Sequence, residues 1–569
     1  MKHLAIFFVL FNFGLTCSAQ NFKLQIIGTS NSETKTIDSL YYTSTHKNVI
    51  LLQDEINRVS EKLSKIGYIE NKVLENINNK DSSYTAKISF GKRVKFVLIY
   101  IGTNSELKKI ITTNTKSDTL VIPYKEMEDF LQKSILQLEQ KGFSLAKVKL
   151  NNIRNINTVL FADLILETTK QRTLNAIIIK TSENENKINF PKGHLEQINK
   201  KYHNKNFNQE MLKQIHDDFS NFGFVTQIKY PEILFTQDTT NVYVYLEKKK
   251  SNTFDGFIGF SNIENSKIAF TGYLDVTLEN TLHAGEQFSI YWKSDGNKQK
   301  TFRTNLELPY IFKTPIALKA NINIFKQDST YQNTKTAIDM GYYINYNSRL
   351  YLGYESTESS DIQNTNNTQL RDYKNSFATL NFEYTKKDNT SSFDTKKSFI
   401  SLNLGFGKRD RNNKAEEIGS NRQFYIDIMA MNNFYLNKKN SINIRTQNYY
   451  LKSGKYMINE LFRFGGINSI RGFEENSLQA NFLATILTEY RYTVSPSLYI
   501  HSIVDYGFFQ DKTILQKNVQ KENLLSLGLG LGLQTKNGLL KLAFSNGKKN
   551  NNNLTFYNSI VNLYYNVKF

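Results

Sequence analysis

Only one cysteine, Cys17, and one tryptophan occur in 569 residues, and proline is scarce at six. A lone cysteine cannot close an internal disulfide, so no disulfide framework holds this fold, whichever compartment it occupies. Beyond the first residues no stretch approaches eighteen consecutive apolar residues, which excludes a membrane protein built from helices. Signatures of common chemistry are missing as well. His194, His203 and His216 show no zinc spacing, and there is no His-Glu-x-x-His, phosphate loop or nucleophile elbow. The repeating dipeptide Gly528-Leu529-Gly530-Leu531-Gly532 has no helix after it and reads as a strand rather than a nucleotide loop. An enzyme and a cofactor are therefore not expected. Nucleic acid is a poor partner, because the formal charge of +20 comes without a recognition motif.

What the chain does contain is aromatic: 33 Tyr and 40 Phe, which with so little proline favours many strands. A mean hydropathy of −0.46 suits a soluble protein, but a membrane barrel alternates apolar and polar residues and averages out as polar too. Lysines spread along the whole chain make a solvated surface the plain reading of the charge, with contact to anionic lipid the sharper one. At the start, Lys2 and His3, the apolar run Leu4 to Leu15 and Cys17-Ser18-Ala19 predict a secretory leader over 1–19. A lipidated start at Cys17 is the alternative. It lacks the small residue before the cysteine and the apolar residue three places earlier.

The first half repeats itself. Three amphipathic stretches each close on a glycine and an aromatic: Ile56 to Lys65 before Gly67-Tyr68, Leu131 to Gln140 before Gly142-Phe143, and Leu212 to Asn221 before Gly223-Phe224. Each predicts a helix ended by a glycine cap. Each copy opens on a β-rich segment (Phe22 to Ile27, Val94 to Ile101, Leu174 to Thr181) and closes on another (Tyr84 to Phe90, Thr158 to Glu167, Asn241 to Glu247). The expected units are small α+β modules over 20–93, 94–172 and 173–250. Their size and order resemble the POTRA domain, a periplasmic module that offers a sheet edge to extended client segments.

From 251 to 569 the helical period gives way to strands: 252–263, 267–280, 284–293, 299–309, 316–326, 335–346, 348–355, 373–386, 395–406, 421–434, 440–451, 480–493, 497–508, 523–533, 537–545 and 556–569. An even number of antiparallel strands, each long enough to cross a tilted path through a bilayer, predicts a 16-stranded antiparallel transmembrane β-barrel. Short turns alternate with longer polar connections such as Glu355 to Arg371 and Asp410 to Asn421. Asp410, Glu416 and Glu417 near Lys408 and Arg409 read as a solvated loop.

The longest connection, 452–479, carries Phe462-Arg463-Phe464-Gly465-Gly466 and Ser469-Ile470-Arg471-Gly472-Phe473. A loop of that length is usually functional or disordered unless anchored. Arg471 has two candidate partners in the next two strands, Glu489 and Asp505, whose side chains enter the lumen if Leu487 and Val504 face lipid. A guanidinium between two carboxylates forms charge-assisted, bidentate bonds. A solvated arginine on a surface loop is the plain alternative. At the far end, Val561, Leu563, Tyr565, Val567 and Phe569 share one face at period two, and polar Asn558 to Asn562 predicts weak pairing where the barrel closes.

These strings resemble the loop-six signature of the BamA/TamA superfamily of outer-membrane assembly and translocation barrels. The segment Leu306-Glu307-Leu308-Pro309-Tyr310-Ile311-Phe312 and the preceding Gly285-Glu286-Gln287-Phe288 are similar to its early-barrel hairpin. The resemblance implies three POTRA-like modules and a sixteen-stranded barrel, a layout nearer TamA than the five-module BamA. It implies that the loop arginine, with Gly465, Gly466, Gly472 and Phe473 around it, contacts Glu489 and Asp505 on the inner wall. Leu563, Tyr565, Val567 and Phe569 would form the carboxyl-terminal strand signal, and the first and last strands a seam that opens sideways. Expected partners are unfolded outer-membrane or secreted client proteins, outer-membrane lipids and a periplasmic or inner-membrane protein. The alternatives are a two-partner-type secretion pore, which usually has two modules and a plug helix, and a passive porin or structural barrel. Residues 20–45 offer no strong plug helix.

Overall fold

The computed structural model describes residues 21–79, 82–102, 118–168, 170–181, 188–237, 239–263, 267–295, 299–363, 369–388, 391, 393, 396–410, 421–514, 521–536, 538–550, 552 and 559–569, with the side chains of 257–271 left outside the description. The expected leader with Cys17, the loop acids Glu416 and Glu417, and Asn558 lie outside these residues. The chain separates into two compact units. One is Met1–Leu174 with Asn204–Met211 and Gln237–Thr240; the other is Asn175–His203, Leu212–Thr236 and Asn241–Phe569.

Among the described residues, three four-stranded sheets precede the barrel. The first orders β2 (Thr45–His46), β1 (Phe22–Gly28), β4 (Ser83–Ser89) and β3 (Lys72–Asn79), with β1 and β4 parallel. Helices α1 (Asn31–Ser39) and α2 (Val49–Lys65) cover it. Asn48 caps α2 by accepting from the Leu51 N–H at 2.9 Å. Its apolar stripe Leu52, Ile56, Val59 and Leu63 is fully buried against Leu24, Ile26 and Ile88 of the sheet. Gly67 ends the helix at φ +109°, a left-handed conformation that favours glycine. Its carbonyl then accepts from the Val94 N–H at 2.8 Å, tying the first sheet's module to the next.

The second sheet orders β6 (Thr119–Pro123), β5 (Phe96–Tyr100), β8 (Val159–Glu167) and β7 (Lys147–Ile156), backed by α3 (Met127–Gln140). The third joins β10 (Val225–Gln227), β12 (Thr239–Lys248) and β11 (Glu232–Phe235), with β9 (Thr173–Thr181) also on β12, and carries α4 (Lys192–Tyr202) and α5 (Gln209–Ser220). Each is a small sheet with one or two described α-helices on it, so the amino-terminal half is built of POTRA-like α/β modules. Gly142 repeats the left-handed cap at φ +92°, but Gly223 does not share it. There the missing Cβ makes room for the Glu279 carboxylate instead.

Sixteen strands close into one antiparallel barrel. They are β13 (Thr253–Ile263), β14 (Lys267–Glu279), β15 (Gln287–Asp295), β16 (Gln299–Leu308), β17 (Ile316–Gln327), β18 (Tyr331–Asn345), β19 (Ser348–Asp361), β20 (Tyr373–Lys387), β21 (Lys396–Asp410), β22 (Arg422–Tyr435), β23 (Asn440–Lys452), β26 (Phe482–Ser495), β27 (Leu498–Gln510), β28 (Glu522–Gln534), β29 (Gly538–Lys549) and β30 (Ile560–Lys568). Between β23 and β26, the long loop makes its own hairpin from β24 (Phe462–Phe464) and β25 (Leu478–Ala480). The order matches the sequence reading strand for strand. Several strands run further than expected: β19 reaches Asp361 rather than 355, which shortens the next connection, and β21 reaches Asp410.

The period-two wall explains the lumen. Along β27, Tyr499, His501, Ile503 and Asp505 are buried inside, while Ile500, Val504 and Tyr506 are exposed outside. The same rule corrects one expectation. Leu487 is two residues from Glu489 and shares its face, so it points inward, and Ile486 and Tyr490 are the outward residues of β26.

Candidate functional site

The loop between β23 and β26 folds back into the barrel. Gly465 (φ +109°) and Gly466 (φ +94°) turn the chain where larger residues would be strained, and the Ser469 N–H closes on the Gly466 carbonyl at 3.0 Å. Ile470 and Phe464 then pack on Leu483, Leu487, Phe509 and Leu524 of the wall. This apolar seat is why an inward Leu487 is tolerated in a polar lumen.

Arg471 follows, 4% exposed. Its Nε donates to Asp505 Oδ2 at 2.8 Å, its Nη2 to Asp505 Oδ1 at 2.5 Å, and its backbone N–H to Oδ2 at 3.1 Å. Nη1 donates to Glu489 Oε1, and Nη2 also reaches the Thr488 carbonyl at 3.3 Å. Glu489 is shared, since Arg491 donates to its other oxygen from Nε at 2.8 Å and Nη2 at 2.6 Å. Asp505 is fully buried, and besides this fork its Oδ1 accepts from the Thr488 N–H at 3.3 Å, so the guanidinium is the counter-charge to a carboxylate out of reach of water. Gly472, at φ +76°, brings the chain against β29, where a Cβ would lie 2.5 Å from the Gly547 nitrogen and 2.6 Å from the Asn546 carbonyl carbon. Phe473 lies on Gly547 in the same place.

A second anchor escaped the sequence reading. Arg409, expected in a solvated loop, is largely buried and donates from Nη1 to Glu460 Oε2 at 2.6 Å, and from Nη2 to the Lys455 carbonyl at 3.1 Å. Gln423 also donates to Glu460. Asn459 donates to Ser359 Oγ at 2.7 Å and to the Arg371 carbonyl at 2.9 Å, and Arg463 reaches the Tyr331 hydroxyl at 2.7 Å. The signal available in the sequence was Glu460 set among Met457, Ile458 and Leu461, an acid with apolar neighbours and so a candidate for burial. Beside the loop the lumen keeps a cavity of about 830 Å³ lined by Arg303, Lys335, Asp339, Asn403 and Asp427.

The closure of the barrel is uneven. Strands β29 and β30 pair from Gly538 with Val567 to Ser545 with Ile560. Among the described residues, β30 and β13 pair only at Thr253 with Lys568 and Phe254 with Val567, next to a Phe569 N–H bond to the Asn252 carbonyl at 3.0 Å. Val561, Leu563 and Phe569 are exposed outward, and Tyr565 and Val567 are partly covered.

At the end of the wall where β13 begins and β14 ends, α4 lies over two turns of the barrel. His194 is buried in a cage of Phe190, Phe222, Phe224, Tyr310 and Tyr346, with its ring 4.7 Å from Tyr310 and 5.3 Å from Phe222. Gly285 leaves the space the imidazole fills. Burial, then the Arg349 charge, push its pKa down to about 3, against a smaller opposing pull from Glu307. The other two histidines serve local bonds, His203 to the Asn175 carbonyl at 2.7 Å and His216 to Gln227 at 2.9 Å.

The fold has counterparts among known proteins. Residues 280–560 match the Omp85 superfamily domain. Among solved structures, CdiB from Escherichia coli aligns over 90% of this chain and 98% of its own, at 11% identity and a TM-score of 0.52. CdiB from Acinetobacter baumannii aligns over 84% and 90%, at 14% identity and a TM-score of 0.51. BamA from Haemophilus ducreyi lacking POTRA domains 1–3 aligns over 82% and 96%, at 14% identity and a TM-score of 0.45. No curated protein matches the chain. Sixteen closed strands, POTRA-like modules before them and the matched domain together make this chain a member of the Omp85 superfamily, an outer-membrane barrel with periplasmic modules that serves protein assembly or secretion.

Proposed function

We propose that this protein inserts other barrel proteins into the outer membrane by pairing client strands at its own seam. The observation that carries the reading is the short contact between β13 and β30. Among the described residues the two strands are not paired beyond Phe254 and Val567, and an unpaired edge is a template for another strand. Every other neighbouring pair in the wall is laddered over at least eight residues, as β29 and β30 are, so opening anywhere else breaks far more backbone bonding.

The loop supports the same route. Phe464, Ile470 and Arg471 fill the lumen beside β26 and β27, and an arginine held by two carboxylates resists removal. A dedicated secretion pore would have to move that loop to pass a client through the lumen. A third four-stranded sheet before the barrel also exceeds the two modules usual in such pores. In this mechanism the module edges receive the client as an added strand, the latched loop keeps the lumen shut, and the seam accepts the client hairpin. Client folding and transfer into lipid supply the free energy, with no nucleotide and no catalytic step. The outward apolar face of Leu563, Tyr565, Val567 and Phe569 acts as this chain's own assembly signal.

Site-specific photocrosslinking tests the route. A photoreactive residue at Leu563 should capture a client strand during insertion, while the same residue at Met340, outward on β18 and away from the seam, should not. Equal capture at both positions, or capture only at lumenal positions such as Asn403, would sink the seam and favour passage through the lumen.

A further inference from the structure

The turn between β16 and β17 holds three non-glycine residues in left-handed backbone: Tyr310 at φ +51°, Phe312 at φ +51° and Lys313 at φ +59°. Bulky residues keep such conformations only where their surroundings over-determine them. Helix α4 supplies those surroundings. Gly193 packs so tightly that a Cβ there would meet the Tyr310 Cβ at 3.0 Å and its carbonyl oxygen at 3.1 Å. The His194 ring meets Tyr310 edge-on, at 85°, and Gln197 Nε2 donates to the Lys313 carbonyl.

The clamp has a consequence for the residue it does not touch. With Tyr310 drawn inward to 9% exposure, Phe312 is turned outward and is 93% exposed. On the adjacent turn, between β14 and β15, Gly285 sits against His194 while Leu282 is 74% exposed. Turns in water are usually built from polar residues and glycine, so a phenylalanine and a leucine displayed on two neighbouring turns need an apolar cover. That cover is continuous with a surface already assigned. Leu306, Ile316 and Leu318 form the outward, lipid-facing column of β16 and β17, and Phe312 extends it past the strand ends.

We propose that Phe312, with Leu282, inserts into the headgroup interface of the periplasmic leaflet, so that the rim clamped by α4 is pinned to the phospholipid surface. Lys313 then stands at the depth of the phosphates, where a cation with an apolar stem is favoured. Through Tyr310 and Gln197, the same turn fixes the helix that rides on it, and the leaflet becomes a reference plane for the third module.

The test uses the full-length chain in phospholipid vesicles. Trp292, the single tryptophan, is replaced by Phe, and Phe312→Trp becomes the only indole. The expected result is emission blue-shifted from a solvated indole, strong quenching by lipids brominated near the headgroup, weaker quenching by lipids brominated near the chain end, and protection from aqueous iodide. Red emission with full iodide access and no lipid quenching overturns the proposal in favour of a solvated turn. Protection from both quenchers overturns it in favour of a protein cover. If Phe312→Trp does not give the heat-modifiable folded band, Leu282→Trp in the same background is read by the same criteria.

Discussion

Arg471 holds the loop to the wall by charge, and removing it strands the fully buried Asp505 carboxylate, while Glu489 keeps its pairing with Arg491. Breaking a buried pair on one side costs about 3–5 kcal/mol, more than the intact pair contributes. Arg471→Ala should therefore lower the urea midpoint of the folded barrel markedly, and Arg471→Lys should fall between, keeping the charge but losing the fork. The pair Arg471→Ala with Asp505→Ala should cost less than the sum of the single changes, because no orphaned aspartate remains; additive losses would argue against direct coupling.

His194 gives a pH prediction of defined sign. Its pKa is about 3 in the folded protein and near 6.5 in an unfolded chain, so the unfolded state binds the extra proton between those values. The stability it contributes is complete above about pH 6.5 and is lost as pH falls toward 3. His194→Phe fills the aromatic cage without titrating, and its melting temperature should fall less steeply over that window. Parallel slopes would assign the acid sensitivity elsewhere. The cage was not legible in the sequence, because Phe190, Phe222, Phe224, Tyr310 and Tyr346 come together only through tertiary packing.

Among elements, the barrel strands were the most legible, because a wall with lipid on one side and polar lumen on the other imposes period two. The reading failed where that constraint lapses. The end of β19, Glu355 to Asp361, is polar on both faces yet keeps its ladder with β18 and β20, so the backbone continues where the pattern fades. Leu487 was misassigned because apolar residues were equated with the lipid face, whereas the folded loop makes an apolar patch inside. Arg409 was misassigned because its partner, Glu460, belongs to a distant segment. The loop's glycines carry a prediction of their own. Gly472→Ala adds one methyl group, yet it combines a left-handed φ with a clash against the backbone of Asn546 and Gly547. It should loosen the loop enough to raise its cleavage by added protease, while an alanine at Ser477, exposed in the same loop, should not. Equal protection of the two variants would mean that the loop is not held at β29.

At the scale of the whole molecule, a tight lumen stands beside a loose seam. The loop is fastened by Arg471 on one side and Arg409 on the other, while β13 and β30 meet over Thr253–Phe254 and Val567–Lys568 among the described residues. That contrast predicts where the barrel yields. Residues paired directly across an antiparallel ladder lie within disulfide reach, so Phe254→Cys with Val567→Cys can lock the seam, and Leu542→Cys with Leu563→Cys can lock the neighbouring β29–β30 pair as a control. The decisive measurement is the rate of client-barrel insertion by each oxidised variant, before and after reduction. If clients enter through the seam, its disulfide abolishes insertion, reductant restores it, and the control disulfide leaves it unchanged; wild-type insertion by the fully oxidised seam variant would rule the seam out as the route.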